Sequence, residues 1–313
     1  MADAAHALPP GGVSPTAAMR RLSAPRIADV VELLKPITWF APIWAFICGV
    51  VSSGAPLHGK FLLVLAGALL AGPLICGTSQ VVNDWYDRHV DAINEPGRPI
   101  PSGRIPGLWA PCIAVAMTIL SLAVATLLGP WGFAAAVFGM VLAWIYSAPP
   151  IRLKRDGWRG NAAVALCYEG VPWFTGAAIM AAARPEWQVI GIALLYSLGA
   201  HGIMTLNDFK SVEGDRITGI ASLPVRLGID RAAFTACAFM ALPQMIVVML
   251  LLHWGRPFHA IAVVALITAQ VLLMQKLLRQ PRELAPWYNA TGTSLYVSGM
   301  LICAFALRMS HLG

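Results

Sequence analysis

The chain has 313 residues, of which 58% are hydrophobic and only 12% charged, with a formal net charge of +7 and a mean hydropathy of +0.69. Soluble domains carry about 25% charged residues, so most of this surface does not face water and a soluble globular fold is excluded. The positive charge is spread among short loops rather than gathered on one face, which assigns it to membrane topology and argues against a nucleic-acid partner.

Residues 1–30 are rich in Ala, Pro, Gly and Ser and have no continuous apolar run after Met1. They read as a flexible cytoplasmic tail rather than a cleaved signal peptide, leaving 31–313 as one transmembrane domain. Apolar runs follow at 37–54, 61–83, 109–128, 131–148, 161–182, 187–206, 231–253, 258–276 and 289–308. Most approach the roughly 20 residues that a helix needs to cross the hydrocarbon core. The predicted fold is all-α and polytopic, with about nine transmembrane helices. Pro130 and Trp131 leave only a very short turn between the third and fourth runs, which predicts a tight antiparallel hairpin.

The second run ends in Asn83-Asp84-Trp85-Tyr86-Asp87-Arg88-His89-Val90-Asp91. On a helix Asp84 and Asp91 lie within about 20° of one another, with Asp87 one turn from each. Three carboxylates on one stripe repel each other unless a cation binds, and Asn83 adds a neutral oxygen. The fifth run carries Glu169 within Tyr168-Glu169-Gly170-Val171-Pro172, where a buried acid either serves function or ties together a broken helix. The sixth run carries His201, for which a satisfied core histidine is favoured over a ligand to a tetrapyrrole metal. It ends in Asn207-Asp208-Phe209-Lys210-Ser211-Val212-Glu213-Gly214-Asp215, again with acids seven apart, although Gly214 is placed to end the helix. Both motifs open with Asn-Asp at the cytoplasmic end of an even-numbered run, as in two repeated units whose acidic ends face one another across a cavity.

Assigning loops alternately to two sides places 18 of the 22 Lys and Arg residues on one side and only Lys60, Arg184, Arg256 and Arg308 on the other. The crowded side is predicted to be cytoplasmic, with the N-terminus there and the C-terminus outside. Acids have little influence on topology, so the carboxylates of the two motifs need a chemical reason. Hard oxygen ligands suit Mg²⁺, which bridges a few carboxylates to substrate phosphates. Arg88, Arg98, Arg104, Lys154, Arg155, Lys210 and Arg216 stand beside the acids. Together they form a candidate diphosphate clamp. In a lipid-embedded bundle the matching substrate is a polyprenyl diphosphate, whose departing charge such a clamp stabilises. Tyr146, Trp85, Tyr86 and Phe209 are candidates for aromatic faces toward the allylic cation. The six cysteines show no metal-ligand or disulfide spacing and read as small buried apolar residues.

The stretches NDWYDRHVDAINEPGRPIPSGRIPG, YSAPPIRLKRDGW, HGIMTLNDFKSVEGDR and SLPVRLG together resemble the UbiA superfamily of intramembrane prenyltransferases. Within it they are similar to the chlorophyll and bacteriochlorophyll synthase branch, most of all to that of purple phototrophic bacteria. The resemblance implies a helical bundle around a central cavity open to the cytoplasmic side. It implies transfer of a geranylgeranyl or phytyl group from its diphosphate to the propionate of bacteriochlorophyllide a, with Mg²⁺ as cofactor. It further implies residence in the cell inner membrane, cytoplasmic or photosynthetic intracytoplasmic, with other pigment-biosynthesis or assembly proteins as candidate partners. Carried over residue by residue, Asp84, Asp87, Asp91, Asp208 and Asp215 are the expected metal ligands. Asn83, Arg88, Arg98, Arg104, Asn207 and Lys210 are expected to bind substrate, while Asp84, Asp87, Asp208, Tyr146 and Lys154 carry catalysis. Ser211 departs from relatives that have an acid there, so Glu213, a water, or the two remaining acids alone must serve. The competing readings are a chlorophyll synthase, a quinone or haem prenyltransferase of the same superfamily, and a membrane transporter.

Overall fold

The computed structural model describes residues 24–309. The predicted tail lies largely outside them, and its last residues, from Ile27, already belong to a helix. That helix, α1 (Ile27–Leu33), is joined through a 3₁₀ turn at Pro36–Trp39 to α2 (Phe40–Ser52). The chain then forms α3 (Phe61–Asn94), α4 (Trp109–Ala125) and α5 (Gly129–Ser147). Next come α6 (Gly157–Ala181), α7 (Trp187–Asn207), the short α8 (Val212–Thr218) and α9 (Leu223–Leu227), then α10 (Ile229–His253), α11 (Pro257–Leu277) and α12 (Pro281–Arg308). The described residues contain no β-strand, only one backbone bridge between Asp156 and Ala221.

Seven helices are long and apolar enough to cross a membrane, or eight if α1 and the segment Pro36–Ser52, bent by 46°, count as one span. One of the seven is the stretch Trp109–Ser147, in which a 3₁₀ turn at Thr126–Leu128 joins α4 to α5. It reverses direction at Gly129, whose φ of +71° glycine adopts without strain. Across the reversal Trp144 Nε1 donates to Thr118 Oγ1 at 3.0 Å, and Thr118 Oγ1 reaches the Met140 sulfur at 3.6 Å. The hairpin expected at Pro130 is therefore present.

Two helices carry π-helical turns, at Leu70–Cys76 in α3 and at Leu166–Gly170 in α6. Each accompanies a proline, Pro73 within the first and Pro172 just after the second. Proline lacks an N–H and clashes with the carbonyl four residues back, and a widened turn relieves both defects. Helices α2 and α6 approach until only glycine fits between them. A Cβ on Gly49 would lie 2.0 Å from the Trp173 carbonyl oxygen, and one on Gly176 2.1 Å from that of Phe46. Such small-residue contacts replace the hydrophobic effect in lipid, which gives no net gain for burying one apolar helix on another. The largest core unites α2, α6, α7, α10, α11 and α12 around Trp173, Tyr196 and Tyr296. Between α10 and α11, Gln244 and Gln270 exchange hydrogen bonds of 3.1 and 3.2 Å, so two buried amides satisfy each other. Phe61, Ile119 and Phe258 point outward from the bundle, as lipid-facing side chains do.

Candidate active site

The first motif is helical throughout, because α3 runs to Asn94 without interruption. Its acids nonetheless divide between two directions. Asp84 and Asp91 turn to Arg98, whose guanidinium lies 3.4 Å from Asp84 Oδ1 and 2.9 Å from Asp91 Oδ2. Asp84 Oδ1 also accepts from Lys35 Nζ at 2.7 Å, and its second oxygen is buried without a partner. Asp87 turns to the loop after α5, accepting from Arg152 at 3.1 Å and from Lys154 Nζ at 2.5 Å. Burial pushes the Lys154 ammonium below its ordinary value, against the opposing pull of Asp87.

The second motif departs from the expected helix. Helix α7 ends at Asn207, a 3₁₀ turn covers Asp208–Lys210, and α8 begins at Val212. The break falls at Ser211 rather than Gly214, so Asp208 and Asp215 do not share a continuous stripe. Asp208 accepts from Asn161 of α6 at 3.1 Å. Ser211 Oγ donates to Asp215 Oδ2 at 3.2 Å and turns toward that acid instead. Burial holds the Asp215 carboxyl above its ordinary value, against the hydrogen bond from Ser211, and the charge on Asp87 raises it further. Asn83 of the first motif and Asn207 and Asp208 of the second line one cavity, so the two motifs face one another.

Between them lies a cavity of about 210 Å³, lined at its polar end by Gln80, Asn83, Tyr146, Asn161, Tyr168, Asn207 and Asp208. Its apolar walls come from Ala71, Ile75, Leu142, Cys167 and Met204 on α3, α5, α6 and α7. Asn83 Nδ2 donates to Ser147 Oγ at 3.1 Å, which fixes the amide at the cavity wall. Both π-helical turns contribute lining residues, Ile75 and Cys76 from the first, Cys167 and Tyr168 from the second. The loop bearing Arg152 and Lys154 is stitched to the loop after α8. Gly157 N donates to Ala221 O at 3.0 Å, Ala221 N to Arg155 O at 2.9 Å, and Arg226 pairs with Asp156 at 2.8 Å. Asp156 is therefore no idle surface acid, since it also caps α6 by accepting from the backbone of Trp158 and Arg159.

Several expected site residues face other partners or solvent. Arg104 is bound to Asp29 and Glu32 of α1 and to the Gly97 carbonyl. Arg88 folds over the ring of Trp85, 4.1 Å from its centroid. Lys210 is exposed, and Asn207, although it lines the cavity, accepts from Asn289 of α12 at 2.8 Å. Glu213 pairs outward with Arg282 and so does not replace the acid missing at Ser211. Of the four aromatics proposed, Tyr146 alone lines the cavity. Trp85 and Tyr86 pack beside Leu33 and Val81, and Phe209 is core. His201 stacks between Trp158 and Phe239 with Nε2 3.3 Å from the Trp158 carbonyl oxygen, a core position as favoured above, but its Nδ1 is buried without a partner and so the ring is only half satisfied. Glu169 sits buried in the second π-helical turn, one oxygen without a partner. Lys35, Arg152, Asn161 and Tyr168 escaped the sequence reading. The first two carried a signal, being bases near the membrane surface, but charge counting absorbed them into topology.

Among the described residues no three histidine, cysteine or acidic side chains converge as a ready-made metal centre. The donor chemistry nevertheless fits Mg²⁺, as hard anionic oxygens stand in pairs and one buried oxygen of Asp84 lacks any partner.

Residues 38–310 match the UbiA prenyltransferase family. The chain belongs to that family. It is 59% identical over 286 residues to the bacteriochlorophyll synthase 33 kDa chain of Cereibacter sphaeroides, covering 91% of this chain and 95% of that one. The chloroplastic chlorophyll synthase of Oryza sativa subsp. japonica is more distant, at 36% identity over 97% of this chain and 84% of its own. A UbiA homologue from Archaeoglobus fulgidus, solved with GPP and Mg²⁺, has the same fold. Its TM-score is 0.66 at 20% identity, with 86% of this chain and 99% of that one superposed. This UbiA protein is thus a multi-pass membrane prenyltransferase, and its two acidic motifs border a cavity lined by both polar and apolar side chains.

Proposed function

We propose that the chain is a bacteriochlorophyll synthase, which esterifies the propionate of bacteriochlorophyllide a with a geranylgeranyl or phytyl group and releases diphosphate. The observation that carries the reading is the cavity itself, bordered by Asn83 and Asp208 from opposite motifs and continued by apolar walls into the bundle. High identity to a bacteriochlorophyll synthase, against lower identity to a chlorophyll synthase, favours the bacteriochlorin acceptor.

Asp84, Asp87 and Asp91 would hold one Mg²⁺ and Asp208 and Asp215 a second, with Asn83 as a neutral ligand. When bound, Mg²⁺ neutralises charge building on the leaving diphosphate. Arg98, Arg152 and Lys154, already beside those carboxylates, bind the remaining phosphate oxygens. The allylic C–O bond breaks as its electron pair leaves with the diphosphate. The prenyl chain lies against Ala71, Ile75, Leu142 and Met204, which exclude water from the carbocation. Tyr146 and Tyr168 present aromatic faces to it. A propionate oxygen then forms the new C–O bond. That carboxyl has an ordinary pKa of about 4, so it arrives ionised and needs no general base.

The deciding assay uses membranes from a heterologous host, Mg²⁺ and labelled geranylgeranyl diphosphate, with bacteriochlorophyllide a, chlorophyllide and a quinone precursor offered in turn. Label should enter the bacteriochlorophyllide ester most rapidly. Preferred labelling of the quinone precursor or of chlorophyllide would overturn the acceptor assignment, and no transfer to any acceptor would favour a transporter.

A further inference from the structure

Lys35 stands at the 46° bend between α1 and the segment Pro36–Ser52. Its φ of +47° is uncommon for a residue with a Cβ and is held by local bonds, Thr38 N and Oγ1 both donating to the Lys35 carbonyl. This bend carries the ammonium to Asp84, 49 residues away in sequence, at 2.7 Å. Helix α1 is fastened on two sides, by Leu33 in the cluster with Val81, Val82 and Ile105 and by Arg104 on Asp29 and Glu32. The strap thus presents a single cation to a carboxylate whose side chain is only 1% exposed. Arg98 adds a second, bridging Asp84 and Asp91. A buried carboxylate requires a counter-charge. Here that counter-charge stands where the metal reading needs an open ligand.

We propose that Lys35 is a cation-exchange residue of the diphosphate site. In the free protein it neutralises Asp84 in place of the divalent ion. On entry of the metal with its diphosphate it is released from the carboxylate and turns to the phosphate oxygens. This rests on the reading of the first motif as a metal site, and it makes two predictions of opposite sign for one substitution. Loss of the Lys35 charge removes a competitor and strengthens binding of Mg²⁺ alone. It also removes a partner of the diphosphate and weakens binding of the donor.

The test uses the full-length chain in detergent, titrated calorimetrically with Mg²⁺ alone and then, at saturating Mg²⁺, with the unreactive geranylgeranyl thiodiphosphate. For Lys35→Met the Kd for Mg²⁺ should fall, and the Kd for the analogue should rise, each on the order of tenfold. Lys35→Arg should restore both toward wild type. Lys35→Gln, which keeps a polar group at the bend, should show the same pair of changes if the methionine variant does not fold. Weaker Mg²⁺ binding in the neutral variants would make Lys35 a mere support for Asp84 and overturn the proposal, as would two unchanged constants. Uptake of Mg²⁺ by wild type that Lys35→Met and Lys35→Gln leave untouched withdraws the exchange alone. A wild-type protein that takes up no Mg²⁺, with or without the analogue, withdraws the metal reading and the exchange together.

Discussion

Asp84 and Asp87 lie one helical turn apart yet pair with different cations, the first with Lys35 and Arg98, the second with Arg152 and Lys154. Asp84→Ala and Asp87→Ala should each lower turnover at limiting Mg²⁺ by at least about 10²-fold, the scale of losing one group that stabilises developing charge. Melting in detergent should show a folded protein in both. Near-normal rates in both would remove these acids from the site. Asp215 offers a pH test. Its carboxyl is held above the ordinary value by burial, and only the ionised form binds metal. Below that raised pKa protons compete with Mg²⁺, so the Mg²⁺ needed for half-maximal rate should climb as pH falls, earlier than an ordinary carboxylate would require. Ser211→Asp places a further acid beside Asp215. It should lower the Mg²⁺ requirement at alkaline pH and steepen its rise on acidification, whereas an unchanged requirement across pH would exclude a metal at this motif. Spacing made the first motif legible because α3 continues through it. The register of the second is not legible in spacing, because a 3₁₀ turn at Asp208–Lys210 breaks the helix where Asn161 of α6 and Asn289 of α12 bond to Asp208 and Asn207.

At the scale of elements, the loop after α3 and helix α1 behave as one piece, because Arg104 joins them. The sequence placed Arg104 among the phosphate binders since it stands in the RPIPSGR stretch, and no spacing rule pairs it with acids more than 70 residues upstream. The two roles differ in how they respond to exchange of charge. Arg104→Glu should reduce activity by presenting like charges to Asp29 and Glu32. Combining it with Glu32→Arg should recover most of the loss, because the clamp is rebuilt with reversed polarity. An exposed pair contributes only about 1 kcal/mol or less, so the expected loss is a modest rise in donor KM of a few-fold with folding intact. Failure of the double variant to recover, with a kcat loss of several orders, would return Arg104 to the phosphate. The stitched loops 155–157 and 221–226 act in the same manner, holding Lys154 opposite Asp87 through backbone bonds that carry no sequence signature.

For the whole molecule, we propose nine crossings, counting the two arms of the α4–α5 hairpin separately and α1–α2 as one bent span. Hydropathy made the runs legible, since lipid forces each to satisfy its own backbone. It could not show which faces meet, because in lipid an inward and an outward apolar side chain look alike. The same parse places the N-terminus and both acidic motifs in the cytoplasm. With the six native cysteines replaced, single cysteines at Lys60 and Arg256 should react with an impermeant reagent in intact cells. Cysteines at Arg155 and Lys210 should react only after lysis. Labelling of the latter pair in intact cells would invert the orientation.

The π-helical turns of α3 and α6 also determine how tolerant the molecule is of changes in length. Each holds one residue more than an α-helical turn, so everything downstream is rotated by about 100° relative to an unbroken helix. In α3 the turn at Leu70–Cys76 precedes Asn83, Asp84 and Asp87 by two or three helical turns. It therefore decides which neighbours each of them meets. Removing a single residue between Cys76 and Asn83 would leave a helix still long enough to cross the bilayer and still apolar. The acids, unchanged in identity and spacing, would point to the wrong neighbours. In this bundle the number of residues between a widened turn and the first carboxylate is itself a determinant of chemistry, one that an inspection of the motif alone passes over.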